Sequence, residues 1–373
     1  MISLDWTRAL RAVPLPNRDL RALAAGGEVN VYGAGTIARE VLAAVAARGL
    51  RLRHLVDGNT RRAELDGIPV RLPDDPAIPR EEKAARPLLI GIFNRDVDID
   101  ALRKKLEAAG WSWVIDFVDL HAAWPGSLAD HYWLTAREFY ASHAGPIAEA
   151  DALWADDASR DLYRAILHFR LTGSRAQLAA PSPGDQYFPA DVPAWKVPLR
   201  LIDVGAYDGD TVRALIASGR PASAVVALEP DPVNYAKLAR IREEKPPFDF
   251  AAWPCGAWSE TTQLRFNPGV GEASAIQAGG KTTIQCVALD DALPDFRPTL
   301  IKLDIEGAEP EALLGARRII QGDGPGLAVC VYHCPAHLWE IPLLLADWIP
   351  GHRLYLRSHA QSGFDLVLYA VSP

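Results

Sequence analysis

The chain has 373 residues, 49% hydrophobic and 23% charged, the balance of a globular protein long enough for more than one domain. A net charge of −8 offers no footprint for nucleic acid, and no apolar run approaches membrane-spanning length. Four cysteines do not make a disulfide framework, and the opening MISLDWTRALRAVPLP lacks the basic-then-apolar layout of a secretory signal, so a cytoplasmic location is expected.

The first third alternates strand and helix. Residues 29–32 read as a strand, and Gly33-Ala34-Gly35-Thr-Ile-Ala38 opens a helix running to about Arg48. Strands follow at 52–56, 88–93 and 113–118, with an amphipathic helix over 99–109. This predicts a small doubly wound, Rossmann-like domain over residues 1–122. Gly33, Gly35 and Ala38, with Asp57 at the tip of the next strand, fit the dinucleotide fingerprint, in which glycines let backbone approach phosphate and the acid meets a ribose. The segments VYGAGTIAREV and LVDGN also resemble small nucleotide-sugar-binding Rossmann domains. These four residues are therefore a candidate second nucleotide site, for a nucleotide-sugar or a dinucleotide. A surface for a partner or a second copy, and a fold kept without a ligand, are the alternatives.

Residues 123–180 change to helical periodicity and read as a connector. Leu162, Ala165, Ile166 and Phe169 form an apolar stripe behind Asp157, the expected cap. The Pro-rich stretch 181–198 reads as a linker, although it holds the pair Tyr187-Phe188. Strands of a second α/β domain, 181–373, are expected at 199–204, 224–229, 248–254, 299–304, 328–332, 353–357 and 365–370. Residues 263–266 and 282–287 read as an added hairpin or small sheet.

The chemistry gathers at the strand tips of this second domain. The run Leu-Ile-Asp203-Val-Gly205-Ala206-Tyr207-Asp-Gly209-Asp-Thr211 is a strand, a glycine-studded turn and a helix start. The glycines stand where a side chain would collide with a ligand or force a strained φ, and the turn's N–H groups can hold a carboxylate. The following strand ends in Glu229, placed to accept ribose hydroxyls, and Pro230 with Asn234 continue into the next helix. An acid inside the first turn and another at the second tip suit S-adenosylmethionine better than a dinucleotide. Further on, Lys302, Asp304 and Glu306 alternate onto one side of a strand and its loop. Glu309 and Glu311 fit the first turn of the next helix, where acids are favoured by its dipole. His333 follows another strand and has the pKa to accept a hydroxyl proton. Asp304, Glu306 and His333 are thus the candidate catalytic residues. Cys330, His333 and Cys334 lack the fourth ligand of a zinc site; Asp304, Glu306 and Glu309 could in principle hold a divalent ion, but no metal is expected.

The runs LIDVGAYDGDT, EPDPVNYAKL, IKLDIEGAEPEALLGA and VYHCPAHLWEIPLLL together resemble the FkbM family of S-adenosylmethionine-dependent methyltransferases. The resemblance covers roughly residues 185–373. It implies a class I methyltransferase sheet of seven strands with the last antiparallel, and methyl transfer to oxygen, commonly of a sugar or polyketide. It further implies that Asp203, Gly205, Ala206, Tyr207, Gly209 and Thr211 shape the methionine end, that Glu229, Pro230 and Asn234 hold the ribose, and that Gly256 and Ala257 lie against adenine. Tyr187 is expected to close over the cofactor. The common family form has Asn at the position of Tyr207. The expected reaction is O-methylation of a saccharide or glycosylated metabolite, by a chain able to form a homo-oligomer. The alternatives are an NAD-dependent sugar oxidoreductase and a non-catalytic scaffold in surface-polysaccharide assembly.

Overall fold

A computed structural model describes residues 26–59, 63–267 and 280–373. The opening segment assessed for a secretory signal lies outside the described residues. The chain groups into two units. One holds residues up to Ala144, with Ala165–Ala180 and Ala360–Phe364; the other holds Gly145–Arg164, Pro181–His359 and Asp365–Pro373. No described helix is long and apolar enough to cross a membrane.

In the first unit, β1 (Glu28–Tyr32), β2 (Arg51–Val56), β3 (Glu64–Leu65), β4 (Ile68–Arg71), β5 (Leu88–Ile90) and β6 (Val114–Ile115) form one sheet, ordered β3-β4-β2-β1-β5-β6. β1 is central and pairs in parallel with β2 and β5. Tyr32, Val56, Leu88, Ile90, Trp111 and Val114 join in one buried cluster. The helix Thr36–Ala47 buries Ala38, Val41, Ala44 and Val45.

Two local expectations are corrected, and one hairpin is added where none was expected. Residues 113–118 are not one strand: Asp116 accepts the Asp119 N–H at 2.9 Å and starts a helix at Phe117, so a capping carboxylate outweighs the strand propensity of Phe117-Val118. β3 and β4 form a hairpin on Asp66-Gly67, both at positive φ, the dipeptide a type I′ turn requires. The helix Asp157–Thr172 is capped by Asp156, which accepts the Ser159 N–H at 2.8 Å, one residue before the expected cap.

The second unit is built on β7 (Leu199–Val204), β8 (Ala222–Leu228), β9 (Asp249–Trp253), β13 (Leu300–Leu303), β14 (Gly326–Cys330), β15 (Arg353–Ser358) and β16 (Leu366–Val371). Their order is β15-β16-β14-β13-β7-β8-β9, with β16 antiparallel to both neighbours. This is the seven-stranded class I methyltransferase sheet that the resemblance implied. Every residue of β13, β14 and β16 is buried, as expected of strands covered on both faces. Short β10 (Gly256–Ala257), β11 (Thr262–Phe266) and β12 (Thr282–Val287) make the small added sheet, ordered β10-β12-β11. β7 is flanked by β13 and β8, so the carboxyl ends of these three strands meet at a topological switch point, where open α/β sheets take ligands.

Candidate functional site

The turn after β7 is the first part of the site. Gly205 (φ 74°) and Gly209 (φ 93°) adopt backbone that side chains resist. A Cβ on Gly205 would strike the Asp304 carbonyl, and one on Gly209 would strike Ile241. Both glycines therefore admit protein rather than leave room for a ligand. Four of the turn's amides are engaged within the protein. Gly205 and Ala206 both donate to the Leu228 carbonyl at 3.0 Å, Gly209 donates to Ala206, and Tyr207 donates to Glu229 Oε2 at 2.9 Å. These four are therefore not the amides to hold a cofactor carboxylate, which the sequence suggested for the turn as a whole. Tyr207 sits at φ 47°, a left-handed conformation that Asn tolerates better, which explains why Asn is the common family residue there.

Glu229 closes β8. It is 6% exposed, and its Oε1 accepts the Asp231 N–H at 2.8 Å. Burial pushes its carboxyl up to about 7, against the pull of the two N–H donors. Each oxygen keeps a second lone pair for a further donor. Pro230 lies beside Gly256, and Gly256-Ala257 forms β10 against Cys286-Val287. Asn234 is buried in the helix Pro232–Leu238, which Asp231 caps through Val233 and Asn234 N–H. The Thr211 hydroxyl is buried with no hydrogen-bond partner among the described residues.

Asp203 is fully buried in β7, opposite Lys302 in β13. Lys302 Nζ lies 3.0 Å from Asp203 Oδ1 and donates to the Gly205 carbonyl at 2.6 Å. Burial would lower the lysine pKa, but Asp203 and its acidic neighbours raise it. Burial also raises Asp203, against the pull of Lys302. The charge of Asp203 is thus matched inside the sheet, a pairing that sequence reasoning missed.

The second cluster stands at the ends of β13 and β14. Asp304 Oδ2 accepts the Tyr187 hydroxyl at 2.7 Å, and its Oδ1 lies 3.4 Å from His333 Nε2. Glu306, at φ 54°, brings Oε1 within 3.8 Å of the same nitrogen. Tyr187 is set by its own segment. Its carbonyl accepts from Trp195 Nε1 at 2.8 Å, and Asp191 of that segment pairs with Arg357 at 2.5 Å. Glu309, which the sequence left open between a solvated first-turn acid and a member of the acid cluster at the site, is fully buried. It accepts from His333 Nδ1 at 2.7 Å and from the Ile305 N–H at 3.0 Å, and lies 3.2 Å from His337 Nδ1. Burial alone would lower both histidines. Glu309, Glu306 and Asp304 instead raise His333 to about 10, and Cys334 and Glu309 raise His337 to about 9. Asp304, Glu309 and His333 bring possible ligand atoms within 4.8 Å of one another. His333 Nδ1 and Glu309 Oε1 are already bonded to each other at 2.7 Å, so these two atoms would have to part to take a cation. The two-histidine spacing His333-x-x-x-His337 was the signal that could have pointed to Glu309.

Residues 203–350 match the model of the methyltransferase FkbM domain. The chain carries an FkbM methyltransferase domain. A crystal structure of methyltransferase FkbM from Methylobacillus flagellatus KT superimposes with a TM-score of 0.79 at 21% identity, covering 99% of this chain and 98% of that one. At that identity the likeness shows a shared fold. Fibrillarin from Aeropyrum pernix, crystallised with natively bound S-adenosyl-L-methionine, aligns over 46% of this chain and 66% of its own, at 14% identity. Its TM-score of 0.29 is too low to bear on this methyltransferase domain. No curated protein matches the chain.

Of the two amino-terminal glycines, Gly33 serves packing. A Cβ on Gly33 (φ 110°) would meet the Gly91 carbonyl at 2.8 Å, and one on Gly91 would meet Ala38 Cα at 2.6 Å. Gly35 faces open space and begins a helix with no side-chain cap and no acid in its first turn. Asp57 Oδ1 accepts the Asn59 N–H at 2.7 Å.

Proposed function

We propose that this methyltransferase uses S-adenosylmethionine to methylate a hydroxyl group of a saccharide or glycosylated metabolite. The observation that carries the reading is the convergence of Glu229, at the tip of β8, and Asp304, just past the tip of β13, on the switch point of the sheet. The donor set fits the cofactor. Glu229 offers free lone pairs to two ribose hydroxyls, and the buried Thr211 hydroxyl has no partner among the described residues. The carboxylates of Asp304 and Glu306, 24% and 17% exposed, suit a cationic neighbour.

When bound, S-adenosylmethionine supplies an electrophilic methyl on a sulfonium. Asp304 receives the acceptor's proton. His333 is held protonated near neutral pH and is a poor base there, whereas Asp304 has a lone pair to offer. A carboxylate is strong enough, because the hydroxyl becomes acidic as its oxygen acquires a carbon. Tyr187 donates to Asp304 Oδ2 and fixes the direction of Oδ1. Holding the hydroxyl in line contributes more than the base does.

A thermal-shift series with S-adenosylhomocysteine, NAD and UDP-glucose tests the reading. A ligand that binds only the folded state raises the midpoint by mass action. S-adenosylhomocysteine raises it in this reading, and a shift with NAD alone would overturn it. UDP-glucose tests the Gly35 helix start as a second, nucleotide-sugar site. Incubating methyl glycosides with S-adenosylmethionine, followed by mass spectrometry, then identifies the acceptor class.

A further inference from the structure

Glu309 holds a fully buried charge at this site, and the reaction outlined above does not use it. An acid in the first turn of a helix normally stays in water and gains modestly from the helix dipole. Glu309 instead has no exposed surface. Its Oε1 takes both the Ile305 N–H and His333 Nδ1, and its Oε2 faces His337 Nδ1. An ionised carboxylate can only accept, so the proton of that short contact belongs to His333 Nδ1. The other ring nitrogen, Nε2, is then the one presented to Asp304 Oδ1 and Glu306 Oε1.

We propose that Glu309 is the positioning residue of the methyl-transfer site: it never touches the acceptor, but fixes the His333 ring with Nδ1 bound and Nε2 turned toward Asp304, so that a charged ring lies beside that side chain. The proposal rests on the methyltransferase reading of Asp304 and deepens it. The ring is met by charge from several elements. Glu309 reaches it from the helix Glu309–Leu314, and Asp304 and Glu306 from the loop after β13. Tyr332 stacks on it with ring centroids 4.1 Å apart, Cys334 follows it in the chain, and His337 stands across Glu309. Among the three carboxylates only Glu309 is wholly buried, so its field is the least screened. Without it, the burial that opposes a charged imidazole is left facing two carboxylates that water reaches.

The test uses the full chain with Glu309→Gln, which keeps the shape and removes the charge, and His333→Gln, which identifies the His333 resonance. The first readout is the histidine ring titration by NMR. In the unaltered protein His333 stays protonated past about pH 8, and in Glu309→Gln it titrates near the ordinary value of about 6.5. The second is turnover of methyl glycosides. Glu309→Gln lowers kcat at least about tenfold and leaves the KM for S-adenosylmethionine within a factor of about three. The alkaline limb of its pH profile follows the histidine titration downward. A His333 titration identical in the two proteins overturns the proposal. So does a neutral His333 ring in the unaltered protein at about pH 8, a measurement that stands even if Glu309→Gln does not fold. Failure of S-adenosylhomocysteine to bind the unaltered protein would remove the methyltransferase reading, while the titration would still decide whether Glu309 controls the ring.

Discussion

Glu229 shows how a single residue couples stability to binding. Its two N–H donors favour the charged form, yet burial outweighs them and its carboxyl rises from 4.5 to about 7. A raised carboxyl pKa means that the folded state prefers the protonated acid. The associated stability is complete below the unfolded value and is lost as pH climbs through the folded one. The unliganded protein should lose about 3 kcal/mol from this group between about pH 4.5 and pH 8. Glu229→Gln cannot ionise and escapes that loss. Urea denaturation at about pH 8 should find the variant more stable than the unaltered protein, with the difference vanishing near pH 5. Calorimetry should find its affinity for S-adenosylhomocysteine at least tenfold weaker, about 1.4 kcal/mol. Equal pH slopes for the two proteins would show that the carboxylate is not strained by burial.

At the scale of elements, β7 and β13 are joined by more than their ladder. Lys302 and Asp203 stand opposite each other in register, both shielded from solvent. Removing one partner of such a pair strands the other charge, whereas replacing both by neutral groups is mild. Lys302→Met should cost about 3–5 kcal/mol, and the double variant with Asp203→Asn should recover most of it. Denaturant midpoints for the four proteins of this cycle give the coupling. A double variant as weak as Lys302→Met would place the damage in packing instead. This pairing also shows what the sequence could reveal. Apolar runs bounded by acids and glycines located all seven strands of the larger sheet, because central strands need side chains that pack on both faces. The same runs marked Asp203, Glu229 and Asp304 as residues at or near a strand tip. Contacts between strands distant in sequence were not legible. Nothing local says that Lys302 turns inward to Asp203, or that Glu309 meets His333 rather than water. A short element was misjudged where one polar atom decides the conformation, as at the Asp116 cap, and the hairpin on Asp66-Gly67 was passed over.

At the scale of the whole chain, the unit that holds the methyltransferase sheet is not one continuous stretch of sequence. It includes Gly145–Arg164, upstream of the Pro-rich segment at which a boundary is expected from sequence. That stretch does specific work on β15, which ends the sheet. Trp154 bridges Leu354, the Ala155 N–H donates to the Leu354 carbonyl at 2.8 Å, and the Ser159 hydroxyl accepts the Leu356 N–H at 2.9 Å. Asp156 pairs with Arg357 at 2.8 Å, and Arg357 is only 5% exposed. A sheet edge left with open N–H and C=O groups pairs with other chains and aggregates. A fragment starting at Pro181 would expose that edge and leave the Arg357 charge with Asp191 as its remaining acidic partner in the cluster. A fragment starting at Gly145 would retain the cover. The shorter fragment should therefore be the less stable by about 3 kcal/mol or more, from the loss of two or three hydrogen bonds and a charge pair. Its solubility should fall as concentration rises. Thermal melts and light scattering of the two fragments, each with and without S-adenosylhomocysteine, make the comparison. A 181–373 fragment that melts with the longer one and stays monomeric would mean that β15 is secured by β16 alone.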